Sequence, residues 1–176
     1  MDLRAVDVNR KKSLVNRVKS LYYTSFPKEE IVPWWIARLY SHRKDMDMLA
    51  WLDGDTFCGF TASVKVDGMY FVYFLAVAPE LHSRGYGSAI LQALQRMYSC
   101  VCLNIEPLDE DAPNYSQRRR RFAFYQKNGF YDTGYYVWEV GGKFRVLSTE
   151  PVLDVPQYKQ VFRKLTFGIW NVRMEK

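Results

Sequence analysis

The sequence contains few residues that bind metals or form disulfides. Its 176 residues include two histidines, His42 and His82, and three cysteines. The cysteines are odd in number and lie in or beside apolar segments, which argues against a disulfide framework. Cys100 and Cys102 are too close together for the usual zinc-binding spacing. We therefore expect no metal and treat Cys58, Cys100 and Cys102 as small buried side chains.

Long apolar runs are also missing. No segment approaches the roughly 18 apolar residues that a membrane-spanning helix needs. Residues Met1–Arg4 contain no basic start followed by an apolar stretch, so no signal peptide is predicted. The expectation is a cytoplasmic protein that does not contact a membrane.

The composition is typical of one globular unit. The chain is 48% hydrophobic and 25% charged, and its 16% aromatic content is high. No internal repeat, low-complexity tract or boundary divides it. We expect a single domain over residues 1–176, with an aromatic-rich core or cleft.

The formal net charge of +6 is compatible with an anionic partner or with solubility alone. The most basic segment is Arg118–Arg121. Consecutive residues of a helix point about 100° apart, so four adjacent arginines cannot form one patch. A solvated helix face is favoured, and no nucleic-acid partner is expected.

A regular order of helices and strands is predicted along the chain. Strands read as aromatic and β-branched runs bounded by glycine turns, and helices as apolar residues at i, i+3 and i+4. The predicted elements are helices at about 9–25 and 33–42, strands at 46–51, 57–66 and 70–78, a helix at about 85–99, a strand at 101–106, a helix at about 115–128, strands at 131–139 and 143–147 flanking Gly141-Gly142, a helical tail at 158–165 and an extended segment at 167–170. The first three strands form an antiparallel meander, and the strand, helix and strand that follow imply a right-handed parallel crossover.

The stretch from Tyr70 to Leu91 is central to this order. In its first half, apolar and polar residues do not alternate, which is typical of a strand buried on both faces. Gly85 and Gly87 follow, where the next helix begins. Free amides and a partial positive charge at a helix start favour phosphate. The loop is not the dinucleotide-binding fingerprint, because that motif needs glycine at the position of Ile90. A purely structural tight turn remains compatible with these residues.

Two motifs add a family resemblance. The segment Leu75-Ala76-Val77-x-Pro79, followed by Arg84-Gly85-Tyr86-Gly87-Ser88, resembles the acyl-CoA-binding motif of the GNAT superfamily of acetyltransferases. The segment Phe124–Phe130 is similar to the second signature of that superfamily, a helix that ends in Tyr and then Gly-Phe. The resemblance covers about residues 12–147. It implies an α+β (mixed α/β) fold, in which a mixed, mostly antiparallel sheet is splayed around acyl-CoA and flanked by helices.

The resemblance also implies how acetyl-CoA binds as co-substrate. The pyrophosphate would lie on the loop formed by His82, Ser83, Arg84, Gly85, Tyr86, Gly87 and Ser88, and the pantetheine arm would pair with the central strand at Leu75, Ala76 and Val77. The family opens this loop with Gln or Arg. His82 can still donate a hydrogen bond, but its charge depends on pH.

Two catalytic residues are expected. Tyr125 matches the family position whose hydroxyl protonates the departing thiolate, and a phenol with a pKa near 10 suits that task. The alternative is a core aromatic residue. Some members of the family carry a glutamate on the central strand, and this chain has none there. The candidate general base is therefore Glu106, at the end of the next strand. The alternative for Glu106 is an ordinary solvent-facing acid. The family often has asparagine seven residues before that tyrosine, where this chain has Arg118.

The predicted function is an N-acetyltransferase that transfers an acetyl group from acetyl-CoA to a primary amine of a small molecule. The amine attacks directly in a ternary complex, without a protein nucleophile. The acceptor is expected between the N-terminal helices and the last hairpin, near Glu29, Glu30, Trp34, Trp35 and Asp109–Asp111. A non-catalytic CoA-binding module and a protein or peptide N-acetyltransferase are the alternatives. The sequence is also compatible with a homodimer.

Overall fold

A computed structural model describes residues 1–139, 142–168 and 171–176. These residues form eight strands and five α-helices. The strands are β1 (Leu3–Asp7), β2 (Met46–Asp53), β3 (Thr56–Val66), β4 (Met69–Val77), β5 (Val101–Ile105), β6 (Tyr131–Glu139), β7 (Gly142–Ser148) and β8 (Arg173–Glu175). The helices are α1 (Lys12–Ser25), α2 (Trp34–Tyr40), α3 (Tyr86–Met97), α4 (Tyr115–Lys127) and α5 (Val155–Leu165). None of these helices is long and apolar enough to cross a membrane.

The strands form one sheet in the order β1-β2-β3-β4-β5-β7-β6-β8. Only the pair β4 and β5 is parallel within the described residues, and α3 connects these two strands. The mixed, mostly antiparallel sheet and its flanking helices confirm the predicted α+β fold class. Residues 46–77 form the predicted meander, because each of their two turns reverses the chain into an antiparallel neighbour.

The hydrophobic core explains why the central elements form. Apart from Tyr73, all residues of β4 are buried or half-buried, in agreement with its apolar run. Helix α3 buries Ile90, Leu91 and Leu94 on one face, as the helical spacing predicts. Cys58 and Cys102 are buried and Cys100 is half-buried.

The ends of the chain differ from the sequence-based expectation. The first helix begins at Lys12, after a short strand and a turn in which the Asp7 side chain accepts a hydrogen bond from the Asn9 amide at 2.8 Å. Strands β1 and β8 were not predicted, since each is too short to show a period. Phe167 lies in a turn with φ 53° and is not extended. Ile169, Trp170 and Gly141, which the prediction also included, lie outside the described residues.

The sheet opens between its two parallel strands. Pairing of β4 with β5 spans only residues 70–72 and 101–103. On its other side β4 stays paired with β3 up to Val77. The register shifts there, because Ala62 pairs with Phe74 and Ser63 pairs with Val72, which leaves Tyr73 as an extra residue. This β-bulge bends β4 where it separates from β5.

Candidate active site

The open edge of β4 is the first feature of the site. Residues 73–77 have no strand partner on the β5 side within the described residues. Backbone N–H and C=O groups on a free strand edge can pair with an extended ligand, as in strand addition. The predicted pantetheine residues Leu75, Ala76 and Val77 all lie on this edge.

The loop before α3 is the second feature. No side chain caps this helix, and the first backbone bond into it runs from the Ala89 amide to the Gly85 carbonyl, at 3.0 Å. The amides of residues 86–88 precede that bond and have no partner within the helix. Ser83 and Gly85 have left-handed backbones, with φ 61° and 85°. Such a loop aims several N–H groups at one point, which suits an anion such as pyrophosphate.

Close packing joins this loop to β4 and α4. A Cβ atom on Gly87 would lie 3.1 Å from Cζ of Phe124 and 3.7 Å from Cγ2 of Val77. Glycine therefore lets the helix start approach both neighbours. Tyr86 donates a hydrogen bond to Asp53 at 3.0 Å, which ties the loop to the end of β2.

The side chains of the loop are placed differently from one another. Nε2 of His82 lies 2.9 Å from the Val77 carbonyl oxygen, so this ring contacts the end of β4. The side chains of Ser83 and Arg84 are exposed, and that of Ser88 is half-buried. The phosphate contacts expected of these residues stay predictions.

Tyr125 lies in the last turns of α4. Its ring packs against Phe124 and Phe130, with centroids 5.3 and 5.6 Å away. Within the described residues its hydroxyl makes no hydrogen bond, so the phenol proton is not committed to a structural partner. Burial raises the pKa of the Tyr125 phenol, and the charge of Arg121 opposes this rise. The phenol is therefore protonated at neutral pH, as a general acid must be.

Glu106 is tied to α4. Its Oε1 atom lies 3.2 Å from Nη2 of Arg118 and accepts a hydrogen bond from Asn114 at 3.0 Å. Its Oε2 atom accepts one from Arg121 at 2.7 Å. Two of the four adjacent arginines thus point to one carboxylate and fasten α4 to the end of β5. Its role as general base stays a prediction, and this pairing gives it a structural task.

Glu139, which the sequence analysis did not select, lies at the opening of the sheet. A small cavity of about 70 Å³ there is lined by Val72 and Tyr73 of β4, Asn104 of β5 and Glu139 of β6, among others. The Asn104 side-chain amide donates a hydrogen bond to Oε1 of Glu139. Burial raises the pKa of the Glu139 carboxyl to about 7, the Asn104 bond lowers it, and the charge of Glu30 raises it.

The expected acceptor residues are only partly brought together. Glu30 lines the same small cavity, and burial followed by repulsion from Glu106 raises the pKa of its carboxyl. Trp34 packs on Tyr22, with ring centroids 5.7 Å apart, and Trp35 is 68% exposed. Neither tryptophan lines this small cavity. Among the described residues no cluster of three or more His, Cys, Asp or Glu side chains could hold a metal ion.

The arrangement combines three chemical capacities. A free strand edge and a glycine loop can hold an extended anionic ligand, a half-buried carboxyl with a pKa near 7 can accept a proton, and a phenol can donate one. An open edge beside an uncapped helix start is the arrangement that the sequence motifs predicted for an acyl-CoA-binding domain.

Comparison with known proteins identifies the family. The model of the family described as "Acetyltransferase (GNAT) domain" matches residues 45–132, which is half of the chain. The chain therefore belongs to the GNAT acetyltransferase family, and its predicted class, an acyltransferase, is confirmed. A search of curated proteins finds no match.

Solved structures share the fold at low sequence identity. A GNAT-family protein from Bacteroides thetaiotaomicron superposes with a TM-score of 0.74 at 21% identity, over 97% of this chain and 100% of that one. An aminoglycoside 6'-N-acetyltransferase complexed with coenzyme A gives 0.67 at 16%, over 88% and 100%. The ribosomal-protein-S18-alanine N-acetyltransferase from Escherichia coli gives 0.59 at 13%, over 86% and 95%.

Gly59 is a further residue on which the site depends. It pairs with Val77, and a Cβ atom there would lie 2.2 Å from the Ala76 carbonyl oxygen. We expect Gly59→Ala to lower Tm by roughly 2–10 °C, the effect of an overpacked buried position, and to weaken CoA binding because the β4 edge must move. Thermal denaturation and calorimetric titration with CoA measure both effects.

The control for this substitution is Gly54→Asn. Gly54 lies in an open turn with φ +58°, a conformation that asparagine tolerates, and a Cβ atom there would meet nothing within 4 Å beyond its chain neighbours. We expect wild-type Tm and wild-type CoA affinity for this variant. A Gly59→Ala protein that matches the wild type in both measurements would contradict the close approach of β3 and β4.

Proposed function

We propose that the protein is an acetyl-CoA-dependent N-acetyltransferase that acts on the primary amine of a small molecule. The observation that carries this proposal is the placement of Glu139 at the opening between β4 and β5. An ammonium group must lose a proton before its nitrogen can attack a carbonyl carbon. A carboxyl with a pKa of about 7 can take that proton at neutral pH.

The residues that would hold acetyl-CoA fit that molecule. The amides of Tyr86, Gly87 and Ser88 suit its pyrophosphate, and the edge of β4 at residues 73–77 suits its pantetheine arm. When bound, acetyl-CoA supplies an acetyl group activated as a thioester. Free N–H groups on the same edge can stabilise negative charge that develops on the carbonyl oxygen.

Two side chains of the protein, Glu139 and Tyr125, then accept and donate the protons of the reaction. Glu139 takes one proton from the ammonium group, the amine nitrogen forms the C–N bond, and the C–S bond breaks. The Tyr125 phenol donates its proton to the leaving thiolate. After the C–S bond breaks, the new amide nitrogen carries one proton more than the neutral acetamide; this excess proton passes through solvent to the phenolate, and Glu139 releases its own proton. The products are the acetamide, the free thiol and one proton.

A product screen tests this function. The protein is incubated with acetyl-CoA and a mixture of primary amines and short peptides, with free thiol measured by colour reaction and products by mass spectrometry. We expect thiol release matched by one acetyl group on a small amine. CoA binding without any product would instead support a non-catalytic module, and preferential acetylation of peptides would support a protein N-acetyltransferase.

A further inference from the structure

A second and larger cavity opens beside Glu139. Its volume is about 230 Å³, and it lies between α2, β2, β3, α5 and the end of β6. It shares Tyr73, Phe74 and Glu139 with the small cavity at the opening of the sheet. A molecule in this larger cavity can therefore present an atom to Glu139 while its body stays between the helices.

The wall of this cavity is mainly apolar. Side chains such as Ile36, Val64, Trp138, Phe162 and Leu165 line it. Ser41, Asp47 and Ser63 are among the few polar side chains in the lining. A body that fills this space should therefore be mainly apolar, because a polar group placed against the apolar side chains would lose its hydrogen bonds to water.

Only one carboxylate of the described lining residues lacks a cationic partner. Asp47 also lines the cavity, but it pairs with Lys65 at 2.9 Å and accepts hydrogen bonds from Tyr70 and Tyr98, both at 3.2 Å. Glu139 has its single bond from Asn104 and no ion pair among the described residues. The cavity can thus neutralise one ammonium group and no second one.

We propose that the acceptor is an apolar primary amine with a single positive charge, an arylalkylamine or alkylamine whose body fills this cavity and whose nitrogen meets Glu139. This inference rests on the proposed acetyltransferase function. An apolar cavity of about 150 Å³ holds benzene, so about 230 Å³ accommodates one aromatic ring with a short alkyl chain. Polycationic amines are disfavoured, because the larger cavity offers no unpaired carboxylate to a second ammonium group; Glu30, the other carboxylate nearby, lines only the small cavity.

A panel of amines tests the substrate class. The acceptors are 2-phenylethylamine, n-hexylamine, n-propylamine, spermidine, kanamycin and a short peptide with a free N-terminus, and kcat/KM is measured for each by thiol release. We expect 2-phenylethylamine and n-hexylamine to exceed spermidine and kanamycin at least about 100-fold, as uncompensated buried charges are strongly disfavoured. Equal or higher kcat/KM for spermidine, kanamycin or the peptide would overturn the inference and leave acetyl transfer standing.

A cavity-filling variant links the preference to this space. Ala37 lines the cavity from α2, so Ala37→Phe should lower kcat/KM for 2-phenylethylamine at least about tenfold more than for n-propylamine, because a filled pocket excludes the ring. The matched control is Ala123→Phe, on the exposed side of α4, which should leave both values unchanged. Equal losses for the two amines in Ala37→Phe would place the ring elsewhere.

Direct binding separates failure of this inference from failure of the function. If no amine is acetylated, the proposed function is wrong. Calorimetric titration with 2-phenylethylamine still measures whether the larger cavity binds this amine. Binding to the wild type and to Ala123→Phe, with at least about tenfold weaker binding to Ala37→Phe, supports the inference. Absence of binding to the wild type, or equal binding to all three proteins, overturns it.

Discussion

Replacement of Tyr125 by phenylalanine is expected to lower kcat by about 10²- to 10⁴-fold, the usual contribution of a general acid, without changing Kd for CoA. The substitution removes only a hydroxyl that has no hydrogen-bond partner in the described part of the chain. The ring contacts with Phe124 and Phe130 remain, so the fold should be unaffected. Steady-state thiol release measures kcat, and calorimetry with CoA measures Kd.

A tyrosine on the same helix is the matched control. The Tyr115 hydroxyl lies 3.5 Å from Oε1 of Glu110 at the exposed start of α4, and Tyr115→Phe should leave kcat and Kd unchanged. Unchanged turnover in Tyr125→Phe would show that Tyr125 is only a core aromatic residue. Because the pKa of the wild-type phenol is raised, proton donation should not fail below about pH 10.

The parts of the fold that were predictable have local signals. The apolar run of β4, the glycine turns and the helical spacing of α3 each lie within a dozen residues, and the structure has these elements where they were expected. The opening of the sheet has no such signal in the residues alone. It depends on the bulge at Tyr73 and on where pairing with β5 stops, and both follow from packing between distant segments. The family resemblance supplied that expectation.

The glutamate that the sequence analysis overlooked had a usable signal. In a strand, residues two apart point to the same face, so Glu139 shares a face with the buried Val137. A carboxylate beside a buried apolar residue on one strand face is a candidate functional position. The prediction favoured Glu106 instead, from its place at a strand end. The spacing of Arg118 and Arg121, three residues apart on one helix, would have indicated that both could reach the same acid.

Replacement of Glu139 by glutamine is expected to lower kcat/KM about 10²- to 10⁴-fold at pH 8 and to abolish the acidic limb of its pH profile. In the wild type this limb should lie near pH 7, where the Glu139 carboxyl titrates. Below that pH the carboxyl is already protonated and cannot accept the proton of the acceptor. A glutamine amide cannot accept it at any pH. The measurement is kcat/KM for a small amine from pH 5 to 9.

The same substitution should have the opposite effect on stability. The folded-state pKa of Glu139, about 7, lies above its ordinary value of 4.5, so the folded state holds a proton that the unfolded state has lost between these pH values. Wild-type stability therefore falls as pH rises from about 4.5 to about 7. Glu139→Gln carries no such charge and should have a higher Tm than the wild type at pH 8, with the difference vanishing near pH 4.5. A loss of activity combined with a gain of stability cannot result from misfolding.

The matched control is Glu106→Gln. We expect this variant to keep the acidic limb of kcat/KM and to have a lower Tm than the wild type, the opposite of both effects expected for Glu139→Gln. It removes the charge that pairs with Arg118 and Arg121, so Tm should fall at neutral pH. If Glu106 only fastens α4 to β5, the acidic limb of kcat/KM stays at the wild-type position in this variant. An acidic limb that disappears in Glu106→Gln and persists in Glu139→Gln would assign the base to Glu106 and refute the role of Glu139. Because Glu106 pairs with two arginines and Glu139 has no ion pair among the described residues, activity and stability together identify which carboxylate accepts the proton.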